Sequence, residues 1–340
     1  MPNETPEAFD AVVELYQANT TQRDPTDPRP GPLETAALFL QPEPGHQKVV
    51  LVARLDGKPA GMVSAVTLSQ SGDPNQVAAL WGLVKPEFRR RGVAGSLLVQ
   101  LLARLKEMGQ TSILIEVLDD IEREAAVGLV SKLGLTPRIE ERYSRVLVPS
   151  VDNELMASWI DQAAQLAPGY RIEQWTGPAP DHLAAQWATA KASMQDGPLD
   201  DLDYTPFTRS IDEERRVDEL SEAWGYRLFR TLVLAPDGEA AGMSAIHFHT
   251  ERPQVVTQGD TGVVARHRGR RLGRWLKAAS FRFVVASNPE MKVIETCNAE
   301  SNRWMLDVNV AMGFRAHHAA TAYQGPINNA LAAIGSQGRQ

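Results

Sequence analysis

Two halves of this 340-residue chain repeat each other at a fixed separation. Arg268-Gly269-Arg270-Arg271-Leu272-Gly273 stands 179 residues after Arg89-Arg90-Arg91-Gly92-Val93-Ala94 (268 against 89). Ile294-Glu295 stands at the same 179 from Ile115-Glu116 (295 against 116), and Gly313 in VAMGF from Gly134 in SKLGL (313 against 134). Upstream, Asp56-Gly57-x-x-Ala60-Gly61-Met62 pairs with Asp237-Gly238-x-x-Ala241-Gly242-Met243 at 181, so two residues were gained or lost in the strand connection between. A repeat of this length is a duplicated domain rather than a solenoid. The fold of one copy is therefore the fold of both.

The best-defined stretch of the repeat is Leu83 to Met108, LVKPEFRRRGVAGSLLVQLLARLKEM. It reads as a strand end, a short basic turn and a helix. Leu97, Leu98, Leu101, Leu102 and Leu105 recur at helical spacing and make one apolar face. The turn falls where a helix begins, so its backbone N–H groups lack intrahelical partners and carry the positive end of the helix dipole. Gly92 has no Cβ and permits close approach of the main chain to a ligand. These features describe a phosphate or pyrophosphate site.

Bulk properties exclude several classes. A length of 340 residues suits two domains. A 43% hydrophobic content supports globular packing. The net charge of -7 argues against a dedicated nucleic-acid binder. The one cysteine, Cys297, rules out an intrachain disulfide or a cysteine-rich zinc site and suits a reducing cytoplasm. The N-terminus, MPNETPEAFD, is not of signal-peptide type, and no apolar run is long enough to span a bilayer.

Periodicity and turn residues predict, in the first copy, helices over 6–18 and 32–41 and strands over 48–55, 61–68 and 77–84. The basic turn and its helix follow, then a strand over 112–118, a helix over 121–133 and a closing strand over 142–148. A connecting helix is expected over 150–168. The second copy opens with a strand over 170–175, which the first lacks. It continues with helices near 180–194 and 212–224, strands over 227–235, 241–249 and 254–264, a helix over 273–286, a strand over 292–297, a helix over 300–312 and a last strand near 316–323. The expected domains are 1–149 and 169–327, joined by 150–168 and followed by a polar tail over 328–340.

Arg-x-x-Gly-x-Ala, after a strand ending in Val-x-Pro and before an amphipathic helix, resembles the acyl-CoA loop of the GNAT acetyltransferase superfamily. HRGRRLGRWLKAA and NAESNRWMLDVNVAMGF in the second copy look most like tandem bacterial GNAT proteins, with mycothiol synthase a more distant relative. The resemblance covers most of the chain, as two copies. It implies an α/β fold with a twisted mixed sheet in each domain, strands four and five splayed apart, and the thioester arm of acetyl-CoA or another acyl-CoA held between them. Transfer would be direct, from thioester to amine. By the resemblance, Leu83, Val84, Arg89, Arg90, Arg91, Gly92, Val93 and Ala94 hold CoA in the first copy. Val263, Val264, Arg268, Gly269, Arg270, Arg271, Leu272 and Gly273 do so in the second, and Asn298 and Asn302 hydrogen-bond the pantetheine arm or adjacent backbone.

Direct transfer needs a proton acceptor and a polarised carbonyl. Strand four of the first copy, Ala78 to Val84, offers no base. In many GNAT enzymes a tyrosine four residues before the glycine that ends helix four is the general acid. Here that position is Val130 in the first copy and Asn309 in the second. The first copy is thus expected to hold CoA and not to use it. The second places Gln258, Asp260 and Gly262 on one strand face by the two-residue period. Asp260 is the candidate general base, through a water, and Tyr323 in the last strand a weaker substitute for the acid. Asn298 reads alternatively as a helix cap and Asn309 as packing. Arg271 stands where Gly92 stands, a problem only if φ is positive there. His247 and His249 share a strand face, but no third ligand is near in sequence, so no metal is expected. Cys297 reads as a small buried residue.

The expected function is acyl transfer to an amine of a small molecule, by a cytoplasmic monomer, with the second domain catalytic. Asp200, Asp201 and Asp203, in the loop between the first two helices of that domain, would attract a cationic acceptor. A non-catalytic acyl-CoA sensor or scaffold of the same fold is the alternative. No nucleic-acid or membrane partner is expected.

Overall fold

The computed structural model describes residues 6–335, apart from 42, 70–72, 74, 121, 204 and 206–208. The chain runs α1 (Pro6–Arg23), α2 (Pro32–Leu40), β1 (Lys48–Leu55), β2 (Lys58–Thr67), β3 (Val77–Val84), α3 (Val93–Glu107), β4 (Ser112–Leu118), α4 (Arg123–Lys132), β5 (Thr136–Leu147) and α5 (Asn153–Leu166). It continues with β6 (Arg171–Thr176), α6 (Ala184–Ala192), α7 (Ile211–Ala223), β7 (Tyr226–Leu234), β8 (Ala240–His249), β9 (Val255–Val263), α8 (Leu272–Ser287), β10 (Val293–Ala299), α9 (Arg303–Ala311), β11 (Arg315–Pro326) and α10 (Ile327–Gly335).

The chain forms two compact units. The first holds residues up to Glu141, Leu199–Phe207 and everything from His318 onward; the second holds Arg142–Pro198 and Thr208–His317. This division does not follow the two sequence copies. Most of β11, the last strand of the second copy, lies in the first unit, antiparallel to β4 with Tyr323 opposite Ile115. Strand β5 is divided, 136–141 in the first unit and 142–147 in the second. Sheet order in the first unit is β1-β2-β3-β4-β11-β5, and in the second β5-β10-β9-β8-β7-β6. Residues 328–335 are helix rather than polar tail: Ile327, Ala330, Leu331 and Ile334 recur at helical spacing and pack into the first unit's core.

In each unit, one helix face closes the sheet. Leu97, Leu98, Leu101, Leu102 and Leu105 of α3 are all buried, as their spacing requires. Each such leucine contributes about 1.5–3 kcal/mol by burial. Helix α7 starts on a capping box of Ser210 and Glu213, and α5 on Asp152, whose carboxylate accepts from Glu154 and Leu155 N–H at 2.9 Å each.

The repeated Ala-Gly-Met segments have a steric explanation. A Cβ on Gly61 would lie 2.7 Å from the Leu83 carbonyl oxygen, and one on Gly242 2.7 Å from that of Gly262. The strand before each basic turn is therefore packed directly against this glycine.

Candidate active site

The parallel strands β3 and β4 pair only from Val77–Ser112 to Leu80–Ile115, although β3 continues to Val84. Strands β9 and β10 pair only from Val255–Val293 to Thr257–Glu295, although β9 continues to Val263 and β10 to Ala299. A splayed cleft thus opens toward the carboxyl ends of the parallel strands in each unit, beside its basic turn. Beyond Thr257 the backbone of β9 leaves the parallel ladder; the Gln258 carbonyl accepts from Thr296 Oγ1 at 3.0 Å, and the cleft-edge groups after it no longer pair with β10.

The two basic turns have the same backbone built from different residues. In the first unit Arg90 has φ +61° and Gly92 φ +80°; in the second Gly269 has φ +83° and Arg271 φ +57°. Each turn has two left-handed positions, one glycine and one arginine, exchanged between copies. Positive φ is therefore required at Arg271, and the strain the sequence left conditional is present. Left-handed turns at a helix start converge N–H groups into an anion cradle. Arg89 Nε donates to the Val84 carbonyl at 3.0 Å and Arg268 Nε to the Val263 carbonyl at 3.1 Å, tying each turn to its strand end. A methyl group on Gly92 would meet only open space, so φ alone favours glycine there.

The turn of the second unit carries His267, buried where the first has Phe88. Arg266 Nε donates to His267 Nε2 at 3.0 Å, leaving Nδ1 to meet the Tyr170 hydroxyl at 2.9 Å. Burial, then Arg266 and Arg270, push its pKa below the usual range, so the ring stays neutral among the arginines.

The units differ at the strand before the turn. Strands β2 and β3 pair in unbroken register. Strands β8 and β9 shift: Ser244 faces Thr261 while Ile246 faces Gln258, so Gly259 and Asp260 together oppose Ala245. This is a β-bulge. It corrects the expected alternation. Gln258 is buried and donates to Ser244 Oγ at 3.1 Å, and Asp260 is turned out and exposed. Gly262 lies against Ser193 and Met194, where a Cβ would come within 2.5 Å of Ser193 Oγ. No sequence period reveals a bulge; Gly259 was its one signal.

Two comparisons with known proteins bear on the fold and family. Residues 9–135 match the family model described as the acetyltransferase (GNAT) family. A tandem GNAT protein from the clavulanic acid biosynthesis pathway superposes with a TM-score of 0.75 at 21% identity, covering 94% of this chain and 95% of that one. Residues 9–135 thus carry the match to that family, and the chain as a whole has the tandem GNAT fold. A GCN5-related N-acetyltransferase from Sphaerobacter thermophilus superposes at 0.64 with 15% identity, covering 95% and 94%. The N-myristoyltransferase of Saccharomyces cerevisiae, with bound myristoyl-CoA and inhibitors, superposes at 0.59 with 12% identity, covering 94% and 78%. No curated protein matches the chain in sequence.

Asn309 on α9 is 1% exposed and its Nδ2 donates to Asn298 Oδ1 at 2.7 Å. Its own Oδ1 is buried without a partner. Asn298 sits in β10 and caps no helix; the cap of α9 is Asn302, whose side chain accepts from Met305 N–H at 3.4 Å. Tyr323 lies in the first unit, packed against that unit's core, while Asn309 and Asp260 belong to the second. Strand exchange placed it there, which sequence order alone does not show.

The acidic loop is also placed elsewhere. Its segment Leu199–Phe207 belongs to the first unit. Asp203 accepts from Asn75 Nδ2 at 2.7 Å, and its backbone exchanges hydrogen bonds of 2.9 Å with the Gln324 side chain. This carboxylate is engaged within the first unit.

His247 and His249 both pack edge-on against the Tyr226 ring, with centroids 5.7 and 5.1 Å away. His249 Nε2 meets the Trp224 carbonyl at 2.9 Å while its Nδ1 accepts from Glu251 N–H at 3.2 Å. Burial and then Arg230 push His247 down to about 4. Arg230 pairs with buried Asp218 at 2.5 Å and lies over the Trp187 ring. Burial raises the Asp218 carboxyl more than Arg230 lowers it. Cys297 is half-buried rather than buried. Sequence reasoning passed over Lys277, which is 1% exposed on α8 with its ammonium over the Phe314 ring. Its signal was present: Leu272, Leu276, Lys277, Ser280, Phe281 and Val284 recur at helical spacing and share the buried face.

Proposed function

We propose that the chain is an acyl-CoA-dependent N-acyltransferase that transfers an acyl group, most simply acetyl, to an amine of a small molecule, and that the second unit catalyses it. The observation that carries this reading is the bulge. Only the second unit combines a splayed cleft, a left-handed anion cradle and a bulge on the strand between them. Acyl-CoA supplies the activated acyl group as a thioester. The backbone donors of Gly269, Arg270, Arg271, Leu272 and Gly273 suit its pyrophosphate, the Arg268 N–H being held by the Ala265 carbonyl at 3.2 Å, and Val263 and Val264 end the strand alongside. Asn298, Asn302 and Asn309 suit the amides of its pantetheine arm; the buried, unpartnered Asn309 Oδ1 asks for a donor.

Asp260, exposed on the bulge, acts as the general base on the acceptor ammonium through a water. Cleft-edge N–H groups of β9 beyond Thr257 polarise the thioester carbonyl. In the first unit Leu83, Val84, Arg89, Arg90, Arg91, Gly92, Val93 and Ala94 keep a cradle of the same shape, which binds acyl-CoA without turnover. The protein acts as a cytoplasmic monomer, without nucleic-acid or membrane partners; no described helix is long and apolar enough to cross a membrane. A second reading, a non-catalytic acyl-CoA sensor, is favoured by Val130 and Asn309 at the general-acid position.

The test is acetyl-CoA turnover against a panel of small amines. Asp260→Asn is expected to cut turnover about 100-fold or more with acetyl-CoA affinity unchanged. Wild-type protein that binds acetyl-CoA and acylates no amine selects the sensor. Unchanged turnover in Asp260→Asn removes this residue from the mechanism.

A further inference from the structure

Two exposed side chains at the start of α9 serve no purpose within the second unit. Trp304 is 87% exposed, the most of any large apolar side chain among the described residues. An indole in water forgoes the burial that usually justifies tryptophan. Arg303 precedes it, also exposed, and its guanidinium has no ion pair or hydrogen bond among the described residues. Glu300 nearby is engaged by Arg142 at 2.6 and 2.8 Å, and Asp307, one turn on, does not pair with Arg303. A cation in the first turn of a helix also opposes the helix dipole. Neither residue stabilises the element it begins.

Their place in the fold gives them a ligand. Strands β9 and β10 are parallel neighbours; β9 leads into the basic turn and β10 into α9. Arg303, Trp304 and the anion cradle therefore stand at the same end of the splayed pair. On the inner side of the same helix, Asn309 Oδ1 is a buried acceptor without a donor. One helix thus shows a cation and an exposed aromatic plane outside and an unmet acceptor inside. The corresponding positions of the first copy, 179 earlier, are Glu124 and Ala125 on α4, which offer neither cation nor ring.

We propose that Arg303 and Trp304 hold the nucleotide end of the acyl-CoA in the second unit, Trp304 stacking on the adenine and Arg303 pairing with the ribose 3′-phosphate. The inference rests on the reading of this cleft as an acyl-CoA site. It makes the second unit the one that distinguishes complete CoA from its fragments. A base stacked on an aromatic side chain and a phosphate paired with arginine are separable contributions.

The experiment is calorimetric titration of the full chain with acetyl-CoA, with its analogue lacking the 3′-phosphate, and with acetylpantetheine. Wild type, Trp304→Ala and Arg303→Ala are compared; both positions are exposed, so folding is unaffected. Trp304→Ala is expected to weaken both nucleotide-bearing ligands by about tenfold to a hundredfold and to leave acetylpantetheine unchanged. Arg303→Ala is expected to weaken acetyl-CoA alone, until its affinity equals that of the analogue lacking the phosphate. Variants that bind all three ligands as wild type does overturn the inference and leave the acyl-CoA reading standing. A wild type that binds none of them overturns both. A uniform loss for all three ligands also overturns it, since that reports a disturbed cleft rather than a lost nucleotide contact.

Discussion

Replacing Lys277 with methionine is expected to stabilise the second unit, and to do so by an amount that depends on pH. The side chain is 1% exposed, and burial pushes its pKa from 10.5 to about 7. The Phe314 ring 5.9 Å from its nitrogen is a weak partner for a charge. In the unfolded chain the amine titrates near its ordinary value. Between pH 7 and 10.5 the unfolded state therefore binds more protons than the folded one, and stability rises with pH across that window. Below pH 7 both states are protonated and the full penalty applies. A gap of about 3.5 pH units at 1.36 kcal/mol each sets it at about 5 kcal/mol, an upper bound. Methionine keeps the length and apolar bulk and removes the ionisable group. Urea unfolding of wild type and Lys277→Met at about pH 7 and about pH 9 measures the difference. The variant's advantage is expected to be several kcal/mol at the lower pH and to shrink by about 2.7 kcal/mol at the higher. An advantage that is the same at both values, or absent at the lower one, would refute the argument that burial lowers the pKa of this amine.

Other outcomes follow from the backbone. Arg90→Gly and Arg271→Gly relieve a left-handed residue in each cradle and should each stabilise by about 1 kcal/mol in chemical denaturation, with acetyl-CoA affinity retained because the N–H groups stay in place. Gly61→Ala and Gly242→Ala drive a methyl to 2.7 Å from a strand carbonyl; each should cost about 2 kcal/mol or more, read as a lowered unfolding midpoint of its own unit.

The duplication was legible because its punctuation is backbone chemistry. Gly57 and Gly238 have φ of +76° and +84° at the hairpins, and Gly134 and Gly313 have +72° and +99° after the helices, so the landmarks that kept register are ones L-residues adopt reluctantly. The leucine face of α3 was legible because burial enforces the helical period. Strand exchange was not, because β11 carries small residues, Ala320 and Ala322, as acceptable beside β4 as in a sheet of its own copy. The outward turn of Asp260 was not, because one extra residue in a strand reverses every following side chain and leaves composition unchanged. Residues 328–335 looked polar by their asparagines, yet Ile327, Ala330, Leu331 and Ile334 had the helical spacing throughout.

The exchange of glycine and arginine between the two cradles bears on how the copies diverged. If the left-handed positions were an accident of one sequence, the second copy would have relaxed them once Gly92 became Arg271. Instead φ stays at +57° there, and the freedom reappears as Gly269 two residues earlier, where the first copy strains Arg90 at +61°. Each turn thus holds one non-glycine residue in a conformation costing about 1–2 kcal/mol, which persists only where the surroundings over-determine it. The tie from Arg89 or Arg268 to the strand end supplies part of that constraint in both units. The cradle geometry is thus common to the two copies, while the bulge, Asp260, Arg303 and Trp304 belong to the second alone. The proposal that the first unit binds acyl-CoA phosphates without turnover rests on this contrast. Its test is a truncated ligand: acetylpantetheine, lacking the pyrophosphate, should lose affinity for the first unit entirely.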